Sequence, residues 1–285
     1  MESKILQIRN VNGKTAYNPT TPFKDEGASY MGVRVESLDS ELDTKTYFAH
    51  KLRDESWEIN DSLSPLPLQD PACMKINDEL YIAGVKVRDT INGVLWNQEF
   101  YRGDSIKNLE HFASGPEGMK DIRLVDLGDR VGVFTRPKGK IGGLGKIGYL
   151  EIGKIDELQE LSETDWYNAP SINGLFEDGT WGGVNQALRL HDGTIGVIGH
   201  KAHKTEFDGV LQKHYYAISF IFNPVTKIVS SFRTIAERKD FPESPSKRSP
   251  ELSDIIFPAG IDKEFNLYSG LSDYCIGVKK IKNPF

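Results

Sequence analysis

Four stretches of the sequence open with an acid or an amide at the point where a β-strand is predicted to begin. The openers are Asp70, Asp121, Asn185 and Asp254, and an aspartate follows each of them in a turn seven or eight positions later. Proline is tolerated at the first residue of a strand, so Asp70, which precedes a proline, is expected at the mouth of its strand. A carboxyl group in that position can serve as a general acid or base. An Asp-Pro pair alone is most often a turn former, so this prediction depends on the repeated context.

Basic residues stand near the same openings and at the ends of the second strands. An arginine presents a planar fork of donors that suits an oxyanion such as phosphate. The candidates are Arg34, Arg88, Arg123, Arg136, His200 and Lys201. Among them, Arg123, Arg136 and His200 are the preferred anion clamp. Structural roles are the alternatives: His200 also fits a core histidine, and Asp121 and Asp254 also fit caps of strand ends.

The element expected to position Asp70 is a β-hairpin that runs to Arg88. Met74 and Ile76 alternate with polar neighbours, a turn falls at residues 77–79, and an apolar run occupies residues 80–87. Alternation followed by a turn and a second apolar run is typical of two antiparallel strands.

Similar hairpins recur along the chain, and their spacing predicts the fold. The openers at 70, 121, 185 and 254 lie 51, 64 and 69 residues apart. Repeats of four-stranded size with variable loops are typical of propeller blades, whose first strands line a central channel. Five units are expected, at about 28–66, 67–115, 116–165, 178–235 and 250–285. The sequence therefore predicts an all-β fold, a single five-bladed β-propeller over residues 1–285.

Other segments are assigned more simply. Residues 1–27 are expected to form an initial strand and a loop, Ile155 to Leu161 is the most helix-like segment, and residues 165–180 are expected to be loop. The glycine- and lysine-rich residues 136–146 fit a flexible hairpin loop, or a phosphate cradle of backbone N–H groups. Residues 237–253, rich in proline, serine and charge, fit a surface insertion or a lid over the channel.

Composition excludes several classes of protein. A net charge of −6 argues against a nucleic-acid or anionic membrane partner. No run of about 18 apolar residues predicts a membrane span, and the first residues do not resemble a signal peptide. Cys73 and Cys275 are too few for a disulfide framework and indicate reduced thiols in a cytoplasmic protein. No cysteine or histidine spacing predicts a zinc site, and no cofactor is expected.

An ordered set of motifs resembles one family, the β-1,2-mannosyltransferase/phosphorylases, long classed as a domain of unknown function and distantly related to the inverting β-mannoside phosphorylases. The resemblance covers nearly the whole chain. Its motifs are residues 17–20, 33–36, 69–71, 118–124, 134–137, 145–148, 181–185, 199–200 and 270–273.

The resemblance implies a five-bladed propeller that cleaves β-1,2-linked mannosides with phosphate, gives α-mannose-1-phosphate with inversion, and runs in reverse. Some members also use GDP-mannose as donor. Asp70 matches the acid of the Glu/Gln-Asp-Pro motif, which makes it the expected general acid. Ala72 stands where those relatives commonly have arginine, so no phosphate contact is expected from that position.

The residue chemistry fits this implication independently. Inverting hydrolysis needs two carboxyl groups, whereas phosphorolysis needs only the acid, since phosphate is already an anionic nucleophile. The expected partners are a mannose oligosaccharide and inorganic phosphate, mannose-1-phosphate or GDP-mannose. The residues expected to bind sugar or phosphate are Asn18, Arg34, Arg88, Asp121, Arg123, Arg136, Trp181, Asn185, His200 and Asp273. The alternatives are an inverting hydrolase with Asp121 or Asp254 as base, and a non-catalytic carbohydrate-binding propeller.

Overall fold

The computed structural model describes residues 2–91 and 93–285, and in these residues the fold is nearly all-β. The strands are β1 (Ser3–Ile5), β2 (Ile8–Arg9), β3 (Thr15–Pro19), β4 (Phe23–Asp25), β5 (Ala28–Glu36), β6 (Lys45–Lys51), β7 (Trp57–Ile59), β8 (Gln69–Ile76), β9 (Glu79–Thr90), β10 (Gly93–Gly103), β11 (Glu110–Ser114), β12 (Arg123–Asp126), β13 (Val131–Thr135), β14 (Gly148–Ile152), β15 (Trp181–Arg189), β16 (Ile195–Phe207), β17 (Val210–Phe222), β18 (Val229–Ala236), β19 (Asp254–Ile261), β20 (Asn266–Leu271) and β21 (Cys275–Lys280). The helices are α1 (Gly139–Gly142), α2 (Glu163–Asn168) and two 3₁₀ turns, Ile155–Gln159 and Arg238–Asp240.

The strands form four hydrogen-bonded sheets, and we describe the largest as two sets because only a short parallel contact joins its two halves, which gives five sets in all. The first has the order β2-β7-β6-β5-β3 with β4 on β5, the second β8 to β11, and the third β12 to β14. The fourth holds β15 to β18, and the fifth holds β19, β20, β21 and β1. Pairing is antiparallel except between β2 and β7 and at a short parallel contact that joins β17 to β19. Most strands thus pair with a strand that is adjacent in the sequence, as antiparallel strands can do without a long crossover connection.

An apolar cluster lies between each set and the next. Phe48 and Ile82 meet between the first and second sets, and Phe100 and Val133 meet between the second and third. Further clusters join the third set to the fourth, the fourth to the fifth, and the fifth back to the first. Each sheet therefore buries its two faces against two different neighbours, which explains why these strands are apolar on both faces rather than on one.

The hairpin expected around residues 70–88 is confirmed as β8 and β9. Asn77 and Asp78 join the two strands, and both have positive φ angles, 51° and 65°. A two-residue turn with positive φ at both positions matches the twist of the flanking strands, and asparagine and aspartate tolerate that conformation. The other expected hairpins are also present, as β12–β13, β15–β16 and β19–β20.

Two boundaries differ from the sequence-based prediction. The first unit was expected to begin near residue 28, but β3 is the innermost strand of the first set and pairs with β5. Residues 165–168, expected in a loop, belong to α2, which begins after Ser162 with a reciprocal cap: the Ser162 hydroxyl accepts from the Asp165 N–H and the Asp165 carboxylate accepts from the Ser162 N–H. An aspartate replaces the usual glutamate in this capping box, which weakened the helix signal.

Both cysteines carry free thiols and are partly buried. Among the described residues, the helices are all too short to span a membrane.

Candidate active site

The innermost strands are irregular where they open, and these irregularities turn polar side chains toward one buried cluster. The register of the inner pairings shifts at Asn18, at Asp70 and at Asn185. Asn18, Asp70 and Asp121 have positive φ angles of 43°, 48° and 61°. A β-bulge bends its strand and re-aims a side chain, and Asn and Asp are the non-glycine residues that best tolerate positive φ. The openers thus leave the ladder and point inward.

Asp70 is 6% exposed and is held by three neighbours. Its Oδ1 accepts hydrogen bonds from Asn18 Nδ2 at 2.7 Å and from Arg34 Nη1 at 2.9 Å. Lys120 Nζ lies 3.8 Å from Oδ2. Burial by itself would raise the pKa of Asp70, but Arg34, Lys120 and the Asn18 hydrogen bond lower it overall. The carboxyl group is therefore ionised in the unliganded protein.

Arg34 joins Asp70 to a second buried carboxylate. Its Nε and Nη2 donate to Glu36 Oε2 at 2.9 and 2.7 Å, and its guanidinium lies 4.9 Å from the centre of the Tyr17 ring. Burial opposes the charge of Arg34, yet the surrounding acids raise its pKa further. Arg34 is a fixed cation whose donors are engaged by protein groups.

Asp273 lies in the turn between β20 and β21 and has a positive φ of 51°. Burial raises the pKa of Asp273 to about 6; Arg34 opposes this, and Asp70, Glu41 and Glu36 add to it. At mildly acidic pH Asp273 is therefore partly protonated, whereas the lowered pKa of Asp70 keeps that carboxyl group ionised.

A second buried group surrounds Asp121. Arg136 Nη1 lies 2.9 Å from Asp121 Oδ2, and Arg136 Nε donates to the Gly182 carbonyl oxygen at 2.6 Å. His200 Nε2 lies 4.0 Å from the same carboxylate oxygen. Burial would raise the pKa of Asp121, but Arg136 and Lys120 lower it well below its usual range.

His200 is almost fully buried and is fixed on several sides. Its Nδ1 lies 2.8 Å from Asn185 Oδ1, and its ring packs against Tyr215 and Phe257 with centroid distances of 5.7 and 5.0 Å. Burial and the cations Arg136 and Lys120 lower the pKa of His200 to about 3, against the opposing effect of Asp121. His200 is thus neutral, so it can offer a hydrogen bond but not a charge.

The structure adds two lysines that the sequence did not single out as site residues. Lys120 stands beside Asp70, and Lys138 begins the glycine-rich loop. Burial, Arg136 and Lys120 together lower the pKa of Lys138 to about 8, because cations outnumber acids at this point. The loop continues over Arg136: a Cβ on Gly145 would lie 3.2 Å from the guanidinium nitrogens. The loop's composition was a signal, but only the fold shows which lysine turns inward.

Arg123 has a different environment from Arg136. Its Nε and Nη1 donate to the backbone oxygens of Asn185 and Ile122, both at 2.9 Å. Arg123 also lines a cavity at the opposite ends of the inner strands, with Lys75 and Asp126. The hydrogen bond from Arg123 on β12 to Asn185 on β15 links the third set to the fourth.

The remaining candidates lie around this cluster or outside it. Trp181 is buried and meets Tyr215 edge to face at 6.0 Å. Arg88 lies in the exposed outer part of β9 opposite Leu95, so the structure does not bring it into the buried cluster. Asp254 lies outside the buried cluster, where its carboxylate accepts a hydrogen bond from His214 Nδ1 at 2.6 Å. In the described part of the chain, no group of three or more His, Cys, Asp or Glu side chains could hold a metal ion.

Comparisons with known proteins give consistent results. Residues 1–285 match a family model described as protein of unknown function (DUF1861). No curated protein sequence gives a match. Among solved structures, a mannose phosphorylase from Leishmania mexicana in complex with phosphate ion (MPT-4) is 32% identical, with 100% of this chain and 89% of that chain covered and a TM-score of 0.91.

Two further structures are similar. A GDP-Man-dependent mannosyltransferase from Leishmania mexicana (MPT-1) is 30% identical, with 100% of this chain and 90% of that chain covered and a TM-score of 0.90. The β-1,2-mannobiose phosphorylase from Listeria innocua, in complex with β-1,2-mannobiose, shares the fold at 14% identity, with coverage of 98% and 96% and a TM-score of 0.68. The match over its full length and the similarity to the two Leishmania proteins show that the chain belongs to the DUF1861 family.

Proposed function

We propose that the protein is a mannoside phosphorylase and mannosyltransferase that reversibly converts β-1,2-linked mannosides and phosphate to α-mannose-1-phosphate with inversion. The observation that supports it most is a buried carboxylate, Asp70, beside a buried excess of cations around Asp121. A similar protein 32% identical to this chain was solved with a phosphate ion. GDP-mannose is a second donor to test, since another relative depends on it.

The proposed architecture is a single five-bladed propeller over residues 1–285, with the five strand sets as blades. Its support is the series of apolar clusters, in which each set packs on the next and the fifth packs on the first. The inner strands β3, β8, β12, β15 and β19 then surround the channel that holds Asp70 and Asp121. Free thiols support a cytoplasmic location.

In the proposed reaction, Asp70 is the general acid. A phosphate dianion bound beside Asp70 adds negative charge, which raises the pKa of its carboxyl group so that it carries a proton in the complex. Asp70 donates this proton to the glycosidic oxygen as its bond to the anomeric carbon breaks. A phosphate oxygen attacks that carbon from the opposite face, and inversion gives α-mannose-1-phosphate. In synthesis, the Asp70 carboxylate takes the proton from the acceptor hydroxyl.

The phosphate site is proposed at Arg136, His200, Lys120 and Lys138. Arg136 and the two lysines supply charge, and neutral His200 supplies a directional hydrogen bond. Arg123 adds positive electrostatic potential to the site but is not proposed to contact phosphate directly, because two of its donors already bind backbone oxygens. The proposed sugar contacts are Asn18, Arg34, Trp181, Asn185 and Asp273.

The contacts of Asp121 and Asp254, the two alternative bases, favour phosphorolysis over hydrolysis. A hydrolase would need a second carboxylate as base. Asp121 is paired with Arg136 and its pKa is lowered well below the usual range, which makes it a weak base. Asp254 binds His214 and lies outside the buried cluster.

The proposal is tested by incubating the protein with α-mannose-1-phosphate and mannose, and then with β-1,2-mannobiose with and without phosphate. Released phosphate, oligomers and their linkage are measured. We expect synthesis in the first mixture and phosphate-dependent cleavage in the second. Asp70→Asn is expected to lower both rates by about 10²-fold or more, since general acid–base groups contribute 10²–10⁴-fold.

The matched control is Asp254→Asn, an identical change outside the buried cluster, with near-normal turnover expected. Sugar release that does not depend on phosphate would indicate a hydrolase. Absence of turnover with mannose-1-phosphate and with GDP-mannose would refute the proposal, and normal turnover of Asp70→Asn would refute the assignment of the acid.

A further inference from the structure

The segment of residues 237–253, which connects the fourth set to the fifth, returns to the first set and is fixed there. Lys247 donates its backbone N–H to the Ser272 carbonyl oxygen at 3.1 Å. Its ammonium group, only 3% exposed, donates to Glu36 of β5. Arg238 holds the start of the segment, with hydrogen bonds to the Ser272 hydroxyl at 3.1 Å and to the Ser244 hydroxyl at 2.7 Å. The segment is thus built into the structure rather than loosely attached.

Glu36 is fully buried and is the centre of this contact. Its Oε1 accepts from Lys247 and from the Tyr17 hydroxyl, and its Oε2 accepts from Arg34 and from the Thr44 hydroxyl. Burial would raise the pKa of Glu36, but Arg34 and Lys247 lower it overall. Both cations therefore stabilise the ionised form of this buried carboxylate.

The charges alternate along a chain of four buried groups. Lys247 binds Glu36, Glu36 binds Arg34, and Arg34 binds Asp70 at 2.9 Å. If Lys247 were neutral, Arg34 would be the remaining cation in contact with Glu36. The negative charge of Glu36 would then be balanced by Arg34 and no longer by Lys247. Arg34 would then stabilise the ionised Asp70 carboxylate less, and the pKa of Asp70 would rise.

We propose that Lys247 is a positioning residue for the Asp70 carboxyl group: through Glu36 it fixes the Arg34 guanidinium and sets the charge that Asp70 experiences. The segment 237–253 thereby contributes to the active site without touching substrate. For its kinetic consequence this inference rests on the proposed function. For its structural content it rests only on the three contacts that link these four groups.

The charged and titratable groups that face Asp70 and Glu36 come from several elements. They are Tyr17 on β3, Arg34 on β5, Glu41 in the loop after β5, Lys120 and Arg123 at the opening of β12, Lys247, and Asp273 in the β20–β21 turn. A change at Lys247 alters only one of these charges, so its electrostatic effect has a defined sign.

The experiment measures the apparent pKa values of the Asp70 and Asp273 carboxyl groups by ¹³C NMR titration, with assignment from Asp70→Asn and Asp273→Asn. Lys247→Met is expected to raise them by about one pH unit, a shift typical of a lost neighbouring charge. Glu36→Gln is expected to lower them, and the double variant Lys247→Met/Glu36→Gln to return them toward wild type. Lys247→Arg keeps the charge and is expected to restore the wild-type values.

The control is Arg248→Met, which removes an exposed cation from the same segment; the Arg248 side chain forms ion pairs with Glu41 and Glu251, outside the Lys247–Glu36–Arg34–Asp70 chain, and little change is expected. Where phosphorolysis is active, the pH dependence of kcat/KM is expected to shift in the same directions. A purely structural role would lower kcat and Tm without moving the pH profile.

The two failures are distinguishable. If the wild type turns over no mannose donor, the proposed function fails, and the NMR titration still decides the role of Lys247. If turnover is normal but Lys247→Met gives the same pKa values as Arg248→Met, the role of Lys247 is refuted alone. Should Lys247→Met fail to fold, Glu36→Gln and the double variant still decide: equal pKa values in those two would overturn the inference.

Discussion

At the scale of the residue, Asn18, Asp70 and Asp121 each meet a backbone requirement and a chemical one. All three have positive φ angles, which β-branched or bulky residues rarely adopt. All three also place a polar group in a buried site, where an unpaired charge is costly. Asp70 and Asp121 satisfy this second condition through Arg34 and Arg136. Replacing any of these residues therefore changes geometry and charge together.

Asp273 offers a prediction about pH. Its pKa in the folded protein is about 6, above the value of about 3.9 for an unfolded aspartate, so the folded state binds this proton more tightly. Its contribution to stability therefore falls as the pH rises from about 4 to 6 and stays low above that range. Asp273→Asn is expected to raise the free energy of unfolding by about 1–2 kcal/mol at pH 8 and to leave it unchanged at pH 4. Thermal unfolding at the two pH values measures the difference.

Asp43 is the control, because its pKa is lowered in the folded protein whereas that of Asp273 is raised. Hydrogen bonds from Lys14 and Ser37 outweigh its burial and lower the pKa of Asp43 to about 2. Asp43→Asn is expected to lose stability at pH 7 and to lose less at pH 3. Equal effects of Asp273→Asn at pH 4 and pH 8 would contradict the raised pKa of Asp273.

Residue types and spacing were enough to predict most of the buried cluster. Asp70, Asp121, Arg136 and His200 were identified because they recur at strand openings. Arg88 was also chosen on position in the hairpin, but the hairpin continues past the opening of β8 and exposes it.

The partners of these residues could not be predicted from the sequence. Glu36 and Lys247 are 211 residues apart, and no local pattern links them. Lys120 and Lys138 are ordinary surface residues by composition and become site residues only through the packing of the loops that hold them.

At the scale of the element, strand periodicity and turn residues predicted the hairpins. They did not predict the bulges at Asn18, Asp70 and Asn185. A bulge adds one residue to one strand, and its sequence resembles an ordinary strand end. The register shift at Asn185 therefore had no signal of its own, although it turns that side chain toward His200. The two glycines after Trp181 lie at a close approach of backbones: a Cβ on Gly182 would lie 2.1 Å from the His200 carbonyl oxygen.

Gly183 provides a test of that close packing. A Cβ at this position would lie 2.9 Å from His200 Cε1 and 3.1 Å from Arg136 Cδ, and both side chains are buried. Gly183→Ala must therefore displace His200 or Arg136, at a cost of about 1–3 kcal/mol for overpacking. We expect the KM for phosphate to rise by about tenfold or more, measured by phosphorolysis at varied phosphate concentration, with a smaller change in the KM for mannoside.

The control for this substitution is Gly153→Ala. Its nearest contact would be the carboxylate of Glu157 at 3.0 Å, the end of a flexible side chain that can move. An unchanged phosphate KM in Gly183→Ala would show that this strand does not shape the anion site.

At the scale of the whole molecule, the net charge of −6 and the buried cation cluster coexist because they occupy different places. Most acids are exposed, whereas Arg34, Arg123 and Arg136 are each at most 5% exposed. Composition therefore argues against a polyanionic partner but carries no information about a small anion. A single phosphate needs only a local excess of charge, which burial strengthens.

Residues 3–9 close the ring of strand sets. β1 pairs with β21 of the fifth set, and the Leu6 N–H donates to the Ile276 carbonyl oxygen at 2.8 Å. Directly afterwards, β2 pairs with β7 of the first set. One short segment thus holds the last sheet against the first, while every other pair of neighbouring sets is joined by a longer connection within the chain.

Removing residues 1–6 should therefore weaken the molecule as a whole. The deletion removes three residues of ladder and the buried Leu6 side chain, worth together about 3–5 kcal/mol. For a protein of this size we expect Tm to fall by about 10 °C, because each kcal/mol lowers Tm by about 2–4 °C. Deleting residues 1–2 is the control: it removes the hydrogen bond from the Lys280 N–H to the Glu2 carbonyl oxygen but leaves the three pairings and Leu6 in place. If both deletions gave the same Tm, the contact between the fifth and first sets would have to be maintained by the Met31–Ile276 cluster and by the contacts of Lys247 with Ser272 and Glu36.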